Sequence, residues 1–155
     1  MDRVAIGLGS NVGDRRAHLD YAVARLRALL TNLEASRYYE TVPVGVSGPQ
    51  AMFLNAAVVG ETTLSARALL DALLAIERER GRERPYVNAP RTLDLDLILL
   101  GSTVVEESGL TVPHPRFRER RFVLEPLAAV APDLRDPVSG KTVAELLAAA
   151  GSGAA

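Results

Sequence analysis

Two segments of this chain repeat their apolar residues at helical spacing, and each lies between runs with strand character. That order constrains the fold more than any other feature. In the first segment Leu19, Ala22, Val23, Leu26, Leu29 and Leu30 form one stripe. Asp14 is suited to cap it, predicting a helix to about Thr31. In the second, Leu69, Leu70, Leu73, Leu74 and Ile76 line up behind Ser65 as cap. Gly81 is a natural stop there, and Arg78 and Arg80 suit the negative end of the helix dipole. Strand-like runs are "VAIGL" at 4–8, "EASRYYETV" at 34–42, "FLNAAVVGET" from Phe53 and "LDLDLILL" from Leu93. The order β-α-β-β-α-β predicts an α+β fold with a ferredoxin-like, split βαβ core. Beyond it come a strand-like "LTV", an arginine-rich turn, short helices near 123–130 and 142–149, and a frayed tail from about 150 to 155. With 155 residues, 48% of them hydrophobic, one domain over 1–155 is expected.

The run "PRTLDLDLILLG" raises a question of charge. Alternation puts Asp94 and Asp96 on one strand face and Leu93, Leu95 and Leu97 on the core face. Ile98 and Leu100 are expected to restore burial further along the aspartate face. Two unit charges about 5 Å apart repel by roughly 3 kcal/mol at an effective dielectric near 20. Solvent, an arginine such as Arg91, or a divalent metal can offset that repulsion. Oxygen ligands with no histidine pair nearby favour magnesium over zinc, with substrate phosphates completing its shell. Taken alone, the pair also fits two exposed aspartates at a strand mouth. Arg82, Arg84 and Arg91 lie just upstream, and arginines beside carboxylates suit a metal-bound nucleotide triphosphate.

Of the 18 basic residues only Lys141 is not arginine, yet the net charge is −1, so nothing pulls the whole chain toward nucleic acid or anionic membrane. No cysteine is present, which excludes disulfides and thiolate metal sites. No run is long enough for a signal peptide or a membrane span, so a cytoplasmic protein is expected. "GLGSNVG" lacks the third glycine of a dinucleotide fingerprint and reads as a tight strand-to-helix turn. "SGKT" at 139–142 lacks the strand and first glycine of a phosphate loop and reads as a turn before a helix. Phe53 and Asn55 share a strand face, where a ring and an amide suit a flat heterocycle; taken alone, they fit core packing and a bond to neighbouring backbone better. His114 sits between Pro113 and Pro115 with four arginines following, either a phosphate donor or a surface histidine. Glu77 falls at the inward edge of the second helix, where a carboxylate needs a partner.

Taken together, "IGLGSN", "FLNAAV", "PRTLDLDLILLG" and "TVPHPRFRERRFVLEPL" resemble, in order and spacing, the 6-hydroxymethyl-7,8-dihydropterin pyrophosphokinase family of folate biosynthesis. The resemblance implies a three-layer α-β-α fold with an antiparallel sheet. It implies pyrophosphate transfer from ATP to the pterin hydroxymethyl group, releasing AMP, with two Mg2+ ions held by Asp94 and Asp96. Asn55 would read the pterin edge, Phe53 and Phe122 would sandwich its ring, and Thr41 and Val44 would border it. Arg82, Arg84 and Arg91 would act on the transferring phosphates. Glu77, Ile98, Thr111, His114 and Arg120 would line the ATP site. The loops 82–91 and 43–50 would flank the site and close over substrates. The chain departs from the common pattern at Asn88 and Ala89, where relatives often carry tryptophan and glycine, and at Gly109, Pro115 and Phe53. A monomer without nucleic-acid or membrane partners is expected. Competing readings are a magnesium-dependent kinase or nucleotidyltransferase on another acceptor, a ferredoxin-like RNA-binding module, and a purely structural or partner-binding domain. Only 5% of residues are aromatic, which weighs against the RNA-binding reading.

Overall fold

The structure is a computed structural model and describes residues 1–42, 52–81 and 92–150. The core elements follow the expected order: β1 (Asp2–Ser10), α1 (Arg15–Leu29), β2 (Thr31–Ala35), β3 (Tyr39–Thr41), β4 (Phe53–Thr62), α2 (Ala66–Glu79) and β5 (Asp94–Leu100). A separate hairpin follows, β6 (Val105–Glu107) and β7 (Leu110–Val112), then a 3-10 turn at Phe117–Glu119, α3 (Arg121–Val130) and α4 (Val143–Ala149). The main sheet runs β2-β4-β1-β5, with β3 also on β4, and every neighbouring pair is antiparallel. Two split βαβ units therefore interleave, as the element order predicts.

The caps explain where the helices start. Asp14 accepts the Ala17 N–H at 3.0 Å and Ser65 the Ala68 N–H at 3.1 Å. Gly81 follows α2 with φ +73, the left-handed conformation that ends a helix at low cost. The first helix stops at Leu29 rather than Thr31, because Thr31 already pairs with Glu61 in the sheet. The expected strand at 34–42 is divided. Between β2 and β3 the Ser36 hydroxyl, rather than a backbone carbonyl, accepts the Ala57 N–H at 3.0 Å.

Two cores share the sheet. One holds Leu19, Ala22 and Leu26 of α1 and Leu69, Leu73 and Ile76 of α2 against Val4, Ile6, Leu8, Leu95 and Leu97. The other holds Phe117, Leu124, Leu127, Val143 and Leu146 against Ala5, Ala57, Val59 and Ile98. This is the expected three-layer arrangement. One expectation for β5 fails. Ile98 does lie on the aspartate face, but Leu100 joins Leu95 and Leu97 on the other side. The β1 pairing jumps from Ile6↔Leu97 to Ala5↔Leu99, so Ile98 is an extra residue in the ladder, and a bulge reverses the facing of everything beyond it.

Candidate active site

The register of the sheet assembles the site. Gly9 of β1 stands opposite Asn55 of β4 on one side and Asp94 of β5 on the other. Gly7 stands likewise between Ala57 and Asp96, and Tyr39 and Thr41 of β3 face Asn55 and Phe53. Directly opposed residues share a sheet face. One face therefore carries Phe53, Asn55, Gly9, Gly7, Asp94 and Asp96 in adjoining rows, at the end of the sheet where this second core stops. Phe53, Asn55, Asp94 and Asp96 are all half-buried.

The glycines are the feature that sequence reasoning missed. "GLGSNVG" was expected to be a turn, but the strand continues to Ser10 and both glycines lie within it. They form a floor without side chains between the amide and the carboxylates. A Cβ on Gly9 would lie 3.0 Å from Asn55 Nδ2 and 3.5 Å from Phe53 Cδ1. The clue in sequence was alternation: Ala5, Gly7 and Gly9 are the small residues on every second position of β1.

Asn55 is oriented from two sides. The Thr41 hydroxyl donates to its Oδ1, and its Nδ2 donates to the Leu8 carbonyl at 3.4 Å. A primary amide has two N–H donors and two acceptor lone pairs, so one of each is still available to a ligand. Glu77 is 2% exposed, and its Oε2 accepts the Leu95 N–H at 2.7 Å. Leu95 lies between the two aspartates on an edge strand, whose outward N–H would otherwise have no ladder partner. Glu77 thus fixes the strand segment that presents Asp94 and Asp96.

His114 joins the same strand, its N–H donating to the Ile98 carbonyl at 2.9 Å. Its Nδ1 accepts the Arg116 N–H at 3.2 Å, which puts the proton of the neutral ring on Nε2. Burial, the Arg120 charge and Arg116 push its pKa below 6.5, with Asp94 opposing them, so the ring is neutral at pH 7. Arg120 precedes α3 with its guanidinium 5.6 Å from the centre of the Phe122 ring, a cation–π distance. The Ile98 side chain is buried, Thr111 is exposed on β7, and Phe122 is half-buried in the first turn of α3. Arg82, Arg84, Arg91 and Val44, the departures at Asn88 and Ala89, and both proposed closing loops lie outside the described residues.

Among the described residues no group of three or more His, Cys, Asp or Glu side chains could hold a metal by itself. An all-oxygen pair, half-buried at a strand end, fits magnesium, which commonly takes one or two carboxylates and finds its other ligands on water and phosphate. Among the described residues no helix is long and apolar enough to cross a membrane.

Residues 5–132 match the model of a family described as 7,8-dihydro-6-hydroxymethylpterin-pyrophosphokinase, HPPK. The chain belongs to this family. Its relatives named 2-amino-4-hydroxy-6-hydroxymethyldihydropteridine pyrophosphokinase agree. The Synechocystis protein is 44% identical over 92% of this chain and 73% of its own length. The Bacillus subtilis protein is 47% identical over 84% and 79%, and the Pseudomonas aeruginosa protein 43% identical over 96% and 92%. Among solved structures, a Plasmodium falciparum HPPK-DHPS chain covers 96% of this one with a TM-score of 0.76 at 14% identity. At that identity the likeness concerns the fold, and this chain spans 44% of the matched one. HPPK members are ATP-dependent diphosphotransferases, and the α+β three-layer fold is theirs.

Proposed function

We propose that the chain transfers the pyrophosphoryl group of ATP to the hydroxymethyl oxygen of 6-hydroxymethyl-7,8-dihydropterin, giving AMP and the pterin diphosphate, in folate biosynthesis. The observation that carries this reading is the row Asn55–Gly9–Asp94, which sets an oriented amide and a carboxylate pair on either side of a bare glycine floor. A flat, amide-edged ring suits one side and a metal-bound triphosphate the other.

In the reaction the hydroxymethyl oxygen bonds to the β-phosphorus, the bridge from that phosphorus to the α-phosphate oxygen breaks, and the hydroxyl proton is lost. Such a displacement needs alignment and charge compensation more than a covalent nucleophile. Asn55 reads the pterin edge, steadied by Thr41, while Phe53 and Phe122 hold the ring faces and Val44 borders it. Asp94 and Asp96 hold two Mg2+ ions, which neutralise phosphate charge when bound. The neutral His114 donates through Nε2 and Arg120 through its guanidinium toward phosphate oxygens, with Glu77, Ile98 and Thr111 bordering the nucleotide. Arg82, Arg84 and Arg91 take the remaining charge. An RNA-binding role is disfavoured because helices cover both faces of the sheet, and such a module reads bases on an open one.

The test is product analysis with ATP, Mg2+ and 6-hydroxymethyl-7,8-dihydropterin. Pterin-dependent AMP together with a diphosphorylated pterin is the expected result. ADP in place of AMP would mean transfer of a single phosphoryl group, and no turnover would sink the reading.

A further inference from the structure

Arg15 occupies an unfavourable place for its charge. It is the first residue of α1, at the positive end of the helix dipole, where a cation is disfavoured. Its guanidinium leaves the helix. One nitrogen donates to the Met52 carbonyl at 2.7 Å and the other to Glu40 Oε1 at 2.8 Å. Met52 immediately precedes β4, and Glu40 is the middle residue of β3, opposite Leu54. One planar fork thus ties the three-residue β3 to the residue that leads into the strand on which it lies.

The facing of the strands separates this tie from the site. Glu40 and Leu54 point to the α1 side of the sheet, and Leu54 belongs to that core. Tyr39, Thr41, Phe53 and Asn55 point to the other side. Arg15 therefore grips from behind the two strand ends whose front carries Thr41 and Asn55. Among the described residues, β3 pairs with β4 alone in the main sheet. A three-residue edge strand is weakly held by its own ladder. Upstream, Tyr38 is tied separately: its hydroxyl donates to Asp20, and Arg16 stacks 5.0 Å from its ring centre. That second tie anchors the entry to β3 but not Thr41, which lies beyond Glu40.

We propose that Arg15 is a positioning residue for recognition of the flat, amide-edged substrate: by bridging Glu40 and the Met52 carbonyl it fixes the register in which Thr41 orients Asn55. This rests on the function proposed above. An arginine is required, because the two acceptors differ in kind and position and a lysine ammonium cannot fork across them.

The experiment compares wild type with Arg15→Ala, Arg15→Lys and Glu40→Gln. Steady-state kinetics with each substrate varied is read beside hydrogen exchange over residues 38–42 and the melting temperature. Arg15→Ala should raise the pterin KM about tenfold, the scale of one charge-assisted hydrogen bond. The ATP KM should stay within about twofold, and exchange over 38–42 should accelerate while the α1 core stays protected, since Tyr38 still anchors the segment. Arg15→Lys should recover only part of the loss. Glu40→Gln, which keeps a neutral acceptor, should lose less than Arg15→Ala. An unchanged pterin KM with unchanged exchange overturns the proposal. So does a parallel rise in both KM values that follows the melting temperature, which marks general destabilisation. If wild type itself forms no AMP, the functional reading fails, and the exchange comparison still decides whether Arg15 fixes β3. Should Arg15→Ala not fold, the lysine and Glu40→Gln variants carry the same comparison.

Discussion

At the scale of single residues, an absent side chain matters as much as those present. A methyl group on Gly9 would press on Asn55 Nδ2 at 3.0 Å, whereas one on Gly7 would meet Ile98 Cδ1 at 3.6 Å, an ordinary contact. Gly9→Ala must therefore move the amide by a few tenths of an ångström or be displaced by it. Since misplacement of a positioning group by about 1 Å can cost on the order of a hundredfold in rate, Gly9→Ala should raise the pterin KM about tenfold. Gly7→Ala should leave that constant within about twofold, because no reader of the ring edge is displaced. Equal effects of the two substitutions would show that the floor is not divided as the register implies. Asn55, Asp94 and Asp96 were legible in the sequence because alternation alone assigns their faces. The glycines were not. Their role comes from what stands across the ladder, and pairing partners lie more than 40 positions away in the chain. The same holds for Arg15, whose partners Glu40 and Met52 are brought near only by the docking of α1 on the sheet.

At the scale of elements, caps and stripes placed the helices, and two misreadings fell where a strand is interrupted, while at "GLGSNVG" β1 runs on through glycines that suggest a turn. Ser36 splits one expected strand by bonding in place of backbone, and the bulge at Ile98 reverses Leu100. The "SGKT" segment is, as expected, a turn into a helix. Thr142 and Glu145 form a reciprocal capping box there. What holds that turn was not legible: Asp136, fully buried, takes two bonds from Arg118 at 2.5 and 3.0 Å, one from Ser139 and one from the Val138 N–H. Burial alone would raise its pKa, but the Arg118, Ser139 and Val138 bonds outweigh it and hold the carboxyl well below its ordinary 3.8. The sign follows. Between the ordinary and the depressed value only the unfolded chain binds the proton, so this stabilisation is complete above 3.8 and is lost as pH falls below it. Asp136→Asn should cost about 3 kcal/mol at neutral pH in a denaturant titration, as when one partner of a buried pair is removed. The gap between variant and wild type should narrow as the pH drops below 3.8. A constant gap across that range would mean the carboxylate charge is not what stabilises the turn.

At the scale of the whole molecule, one sheet separates two cores, and the site lies where the α3–α4 layer ends. Asp94 and Asp96 are therefore at the rim of a folded frame rather than inside it, and half-exposed carboxylates contribute little to holding that frame. Removing one should separate function from stability. Asp94→Ala should unfold within about 0.5 kcal/mol of wild type, as expected for a rim substitution that breaks no packing. Its turnover should fall at least about a hundredfold, the scale of losing one transition-state charge partner. Ligand binding tests the same point without chemistry. A non-hydrolysable ATP analogue at about 100 times its Kd stabilises the native state by about 2.7 kcal/mol. For a chain of this size that raises the melting temperature by roughly 5–10 °C. The rise should require Mg2+, disappear with EDTA, and be lost in Asp94→Ala while the ligand-free melting temperature is unchanged. If the analogue stabilised wild type and variant equally, the carboxylate pair would not hold the metal. The triphosphate would then be neutralised by the arginines alone.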